Sequence, residues 1–208
     1  MTRFDSLLNY WFGELTDGLS DAAHRARWFN GGNTFDAELR EEFGHLVEAA
    51  QTGKLQPWLN SPQGRLAYVL VCDQLPRNIF RGDRRAYATD QLALAAAREG
   101  VETGTDLHLE IDERNFLYMP FEHSESLIDQ HTCVGLFMEL RDATPMGKRE
   151  LPGGSLRYAQ QHRDIIRRFG RFPHRNAALN RTSTPQEAAF VAQGDGFGQS
   201  RDSWPGNE

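Results

Sequence analysis

Four stretches of this chain place chemically capable side chains beside prolines that stiffen the backbone. The first is Cys72-Asp73-Gln74-Leu75-Pro76-Arg77-Asn78-Ile79-Phe80-Arg81-Gly82. An aspartate leaves an apolar segment here, with two arginines and an asparagine beyond the proline. Asp73 paired with Arg77 or Arg81 would close a helix end, a structural ion pair. Arg77, Asn78 and Arg81 together would also suit an anion, because guanidinium forks match carboxylate and phosphate oxygens. The second stretch, Phe116-Leu117-Tyr118-Met119-Pro120-Phe121-Glu122-His123-Ser124-Glu125, carries His123 and Glu125 in a turn. Two residues apart, they do not share a helix face, so they are not a metal-binding pair. Glu125 near a helix start reads as a capping group ahead of a general base.

The third stretch is His162-Arg163-Asp164-Ile165-Ile166-Arg167-Arg168-Phe169. His162, Ile165, Ile166 and Phe169 share one helical stripe, so His162 faces inward as a core histidine, and Asp164 and Arg168 have the spacing of a surface pair. The fourth is Gly170-Arg171-Phe172-Pro173-His174-Arg175-Asn176, a stiff turn carrying guanidinium, imidazole and amide groups. Arg168, Arg171, Arg175 and Asn176 are candidates for binding an anion, while His123, Glu125, His162 and His174 are candidates for acid–base work. The phosphate-binding glycine loops, the paired-cysteine zinc motif and the nucleophile elbow are all missing from the sequence. No metal and no cofactor is therefore expected.

The elements that must position these groups read as helices almost throughout. Phe4, Leu7, Leu8, Trp11 and Phe12 form one apolar stripe, and Phe35, Leu39, Phe43, Leu46 and Val47 form another that stops at Gly53. Ser61-Pro62 is a helix start; the helix runs to Leu75, is apolar nearly all round from Leu66 to Cys72, and ends at Pro76. Arg85 to Arg98 is an alanine-rich helix closed by Gly100, and Ile111 to Met119 is another, ended near Pro120. Ser124 or Ser126 opens a helix to Leu140; Pro145 to Gly154 is a loop; Ser155 to Phe169 is a helix stopped by Gly170. Thr184-Pro185-Gln186-Glu187 is a capping box opening a last helix to about Ala192. About eight helices joined by short turns predict a single all-α domain over residues 1–193, built of stacked antiparallel hairpins, with a glycine-rich, disordered tail over 194–208.

Composition narrows the function classes. The net charge of −6 argues against general nucleic-acid binding. The charge is unevenly spread, with nine acids against four arginines in residues 1–50, and six arginines against Asp164 alone from His162 to Arg181. No apolar run approaches the roughly 18 residues of a membrane helix, and the start of the chain does not read as a signal peptide. Cys72 and Cys133 sit among aliphatic residues and read as buried, reduced thiols. The expected location is the cytoplasm, with no membrane partner.

These stretches also carry a resemblance. Tyr10-Trp11-Phe12-Gly13-Glu14, Asp73 to Ile79, Tyr118 to Glu125 and Arg168 to Asn176 resemble the bacterial family called Domain of Unknown Function 924, over Phe4 to Phe197. The resemblance implies an all-α fold similar to tetratricopeptide-repeat proteins, with a concave face, and it implies no activity. The sequence departs from the family pattern at Asn180, where a glycine is usual ahead of the Arg181-Thr182-Ser183-Thr184 stretch.

Three functions compete. In the leading one, the concave face presents Arg77, Asn78, Arg81, His123, Arg168, Arg171, His174 and Arg175 to an anionic small molecule or an acidic peptide. The second is an enzyme using His123, Glu125, His162 or His174 as acid–base groups on an anionic substrate. The third is a scaffold of the tetratricopeptide kind whose arginine–carboxylate motifs are purely structural. RNA binding through the basic stretch ranks behind all of these.

Overall fold

A computed structural model describes residues 4–30 and 32–194. The glycine-rich tail after Gly194 lies outside the described residues. Ten α-helices occur among those described: α1 (Asp5–Phe12), α2 (Ala22–Asn30), α3 (Gly32–Gln51), α4 (Pro62–Val69), α5 (Leu75–Ile79), α6 (Asp90–Glu102), α7 (Ile111–Glu122), α8 (Leu127–Ala143), α9 (Glu150–Phe169) and α10 (Pro185–Ala192). Among the described residues there is one isolated β-bridge, between Thr16 and Leu19, and no strand. The fold is all-α. No helix among the described residues is long and apolar enough to cross a membrane.

Helix α4 is the centre of the packing. Ser61 caps it, its hydroxyl accepting from the Gly64 N–H at 3.1 Å, and Pro62 fills the first turn, where no N–H is needed. Leu66 to Cys72 are each no more than 1% exposed, as an apolar-all-round helix requires. α4 packs against α1, α6 and α7, while α7, α8 and α9 pack in sequence order. Trp11, Phe12, Trp28 and Phe116 join α1, α2 and α7 through edge-to-face rings 4.7–5.7 Å apart.

Several helix ends differ from those read in the sequence. Pro76 does not end the helix: the chain widens into a π-helical turn at Leu70–Gln74 and continues as α5. A wider turn lets a mid-helix proline pass, since its ring and missing N–H disturb the ordinary ladder. α6 starts at Asp90 after a 3₁₀ turn at Arg84–Tyr87, and it passes through Gly100 to Glu102. A Cβ at Gly100 would come 2.9 Å from Arg65 Cδ, so the glycine serves close helix packing rather than termination. α7 carries Pro120 inside it and ends at Glu122. The loop read over Pro145 to Gly154 is half helix, because α9 starts at Glu150 and places Pro152 in its first turn. α2 had no sequence signal; its polar composition hides a short amphipathic helix.

Candidate functional site

Helix α5, the 3₁₀ turn at Arg84–Tyr87, α7, α9 and the Phe172–Asn176 segment converge on a cluster of charged and titratable side chains. Asp73, fully buried on the π turn, is its anchor. Asp73 pairs with Arg77 at 3.1 Å and with His123 Nδ1 at 2.8 Å, and the Gln74 amide also donates to it. Burial alone would raise the Asp73 pKa, but the Arg77 guanidinium and the His123 imidazole hold it well below the usual carboxylate range. An ionised carboxylate only accepts, so His123 Nδ1 carries the proton. Arg77 donates a second, two-pronged set to Asp90, at 2.9 and 3.0 Å, and one bond to the Asp73 carbonyl at 2.7 Å. Both its carboxylate partners hold it charged against the effect of burial.

Arg175 enters from the other side. It is 5% exposed, and its guanidinium carbon stacks 4.4 Å from the Phe172 ring centroid and 4.9 Å from that of Tyr87. Its one ion pair is with Asp90 at 3.5 Å, and its Nε meets no acceptor among the described residues. Burial, with Arg77 close by, pulls its pKa down to about 10.

The three histidines of the cluster, His123, His162 and His174, are all shifted towards the neutral form. Burial, with the nearby Arg175 and Arg77 charges, takes His162 down to about 3, against its backbone bond; its Nδ1 donates to the Tyr158 carbonyl at 2.9 Å, and its ring packs edge-on to Phe172. His174, also against Phe172, falls to about 2 through burial and the Arg175 charge. His123 is lowered by burial and Arg77, with Asp73 opposing. Glu122 moves the other way: burial and then the Asp73 charge push its carboxyl up to about 8, so it is protonated at neutral pH. It lies 3.4 Å from His162 Nδ1. The cluster thus joins a balanced set of two carboxylates and two guanidiniums to three neutral imidazoles and a carboxylic acid. Such a set can hold an anion against Arg175 or pass a proton at His123 and Glu122.

The comparisons are consistent with one another. Residues 7–195 match the model of a family described as bacterial protein of unknown function (DUF924). The chain belongs to this family. A solved structure of a protein of unknown function from Agrobacterium tumefaciens, 34% identical, superposes on this DUF924 chain with a TM-score of 0.78 over 91% of this chain and 97% of that one. No curated protein matches it significantly.

Of the sequence candidates in this DUF924 chain, Asp73, Arg77, His123, His162, His174 and Arg175 come together. The others go elsewhere. Asn78 and Arg81 both bind Asp36 of α3, Arg81 by 3.0 and 3.1 Å contacts, so they fasten α5 to α3. Arg168 lies over the Phe169 and Phe190 rings, and Asp164 pairs with Arg163 and Arg167 instead of Arg168. Arg171 grips Glu187 with two bonds at 2.6 and 2.8 Å, tying the segment to α10. Asn176 is spent on Ser183 and Arg181. Glu125 does not cap α8, a task taken by Ser126; it accepts from the Phe172 N–H at 2.8 Å and from both ends of Arg181. It therefore fixes the backbone that carries Arg175. Among the described residues no group of three or more metal-ligating side chains forms.

The sequence reading missed Glu122, Asp90 and Tyr87. Glu122 stood beside His123, and its apolar helix was the available clue that its carboxyl would be buried. Asp90 looks like an ordinary helix-start acid, and only the fold brings it to Arg77 and Arg175.

Proposed function

We propose that this chain binds a small anionic ligand at the polar cluster, with Arg175 as the receiving group. The observation behind this is the condition of that side chain: buried, held by two aromatic rings, weakly paired, and with an unmatched Nε. A buried donor without a partner costs on the order of 1–3 kcal/mol, more when charged. An anionic oxygen at Nε would recover that. His123, whose Nε2 meets no partner among the described residues, offers a second donor or acceptor beside it. The recessed position favours a small molecule over an acidic peptide. The concave, tetratricopeptide-like face belongs to the same proposal and is supported by the consecutive packing of α7, α8 and α9.

One contact favours a second reading, an acid–base enzyme. Asp73 orients His123 through Nδ1 and leaves Nε2 to exchange protons, while Glu122, protonated up to about 8, supplies an acid beside it.

A thermal-shift series with phosphate, sulfate, acetate and citrate tests the proposal. An anion at about 100 times its dissociation constant should add roughly 2.7 kcal/mol, a shift of several degrees. The shift should vanish in Arg175→Met. If no anion shifts the native protein, or if Arg175→Met keeps the shift, the cluster is architecture and the proposal fails.

A further inference from the structure

A cleft with about 280 Å³ of open volume lies between α2, α7, the end of α8 and the first turns of α9. No residue of the Arg175 cluster lines it. Its wall is apolar, with Trp28, Ile111, Leu140 and Leu151 among its residues. The wall is preformed: the Trp28 indole N–H donates to the Trp11 carbonyl at 2.8 Å, and its ring stands edge-on to Phe116. The volume falls just below the roughly 300–1,000 Å³ of pockets for drug-sized ligands, which leaves room for a small metabolite and excludes a nucleotide or peptide.

Two opposite charges face this space without touching. Arg25 is half-buried, and its guanidinium forms no ion pair or hydrogen bond among the described residues. Arg77, Arg81, Arg171 and Arg181 are tied to carboxylates, so Arg25 stands apart from them. Asp112, 5% exposed, is steadied by the Ser20 N–H at 2.8 Å and has no cationic partner in contact. Asn115, on the next turn of α7, spends its carbonyl on Ser155, and its amide nitrogen meets no acceptor among the described residues. Burial pushes the Asp112 carboxyl upward, with Arg25 pulling it back from a distance. A cleft with a fixed cation, a fixed anion and an apolar wall fits a ligand that carries both charges on one end of a hydrocarbon body.

We propose that this cleft binds an apolar α-amino acid. The carboxylate sits on Arg25, with help from the Asn115 amide. The ammonium sits on Asp112, and the side chain lies against Trp28, Ile111 and Leu140.

Equilibrium dialysis with L-leucine, L-methionine and L-phenylalanine tests this. At least one should bind saturably. 4-Methylpentanoate and isoamylamine each keep one charge, and glycine keeps both without the hydrocarbon; each should bind about tenfold or more weakly. Arg25→Met and Asp112→Asn should each abolish the binding, the latter keeping an oxygen for Ser20. Arg175→Met should leave it unchanged, which separates this site from the anion cluster. Absence of saturable binding by all three amino acids overturns the proposal. So does equal binding of 4-methylpentanoate, or binding that survives Arg25→Met in a folded variant.

Discussion

The Thr89 hydroxyl donates to the Cys72 carbonyl at 2.6 Å, inside the core. Cys72 lies four residues before Pro76, which has no N–H to return to it. Thr89 supplies the missing donor from the residue just ahead of α6, and at 1% exposure it leaves no room for water to substitute. Thr89→Val keeps the shape and removes the donor, and should cost about 1–3 kcal/mol. Thr89→Ser should stay near the native value. Urea denaturation with an unchanged slope checks both; a Thr89→Val variant as stable as the native protein would remove the role given to the hydroxyl.

Glu122 and the histidines shape stability against pH in opposite directions. A folded pKa of about 8 for Glu122, against 4.5 for the ordinary group, means the folded state holds its proton more tightly. That contribution is complete below pH 4.5 and is lost as pH rises through 8. His162 and His174, lowered to about 3 and about 2 from 6.5, contribute stability that is present above pH 6.5 and is lost as pH falls. Between pH 6.5 and 8 the Glu122 slope stands alone. Stability of the native protein should therefore fall over that window, and Glu122→Gln should flatten the fall. Denaturation midpoints at half-unit pH steps measure it.

Arg77 and Arg175 are both buried yet should respond differently to replacement. Arg77 is engaged by Asp73 and by both oxygens of Asp90, so Arg77→Met strands Asp73 and should cost about 3–5 kcal/mol. Arg175 has one ion pair at 3.5 Å, so Arg175→Met should change the ligand-free stability by no more than about 1 kcal/mol in either direction. Thermal or urea denaturation of the two variants in anion-free buffer decides. Equal losses would show Arg175 to be as structural as Arg77.

Asn180 sits at φ 53°, in the left-handed region, where its short amide side chain is among the few tolerated. A glycine would adopt this conformation without strain, and asparagine keeps the turn. Asn180→Gly should be close to neutral, whereas Asn180→Val should cost about 1–2 kcal/mol. Hydrogen exchange over residues 176–184 would localise that loss to the turn that carries Arg181 to Glu125.

Helix stripes and caps were legible because they are local: the Ser61 and Thr184 caps, the Gly170 stop at φ 71° and the buried face of α4 all follow from neighbours in sequence. Proline and glycine misled wherever tertiary packing compensated for them, as at Pro76, Gly100 and Pro120. The cluster was half legible. Residue type marked Asp73, Arg77, His123 and Arg175, but pairing at separations of 13 to 85 residues decides which arginine meets which acid. Asn78 and Arg81 stand within four residues of Arg77 yet face Asp36, because Asn78 lies about 100° round the helix and Arg81 lies beyond the end of α5 at Ile79.

The π-helical turn at Leu70–Gln74 has a genetic corollary. Such a turn is a helix holding one residue more than its register needs, and one residue corresponds to about 100° of rotation. Deleting a single codon there would restore an ordinary helix and swing the following side chains away from α7 and α9. Point substitutions cannot produce that rotation. Length variation in this segment would then disable the cluster by rotation, a route distinct from replacing Arg175 itself.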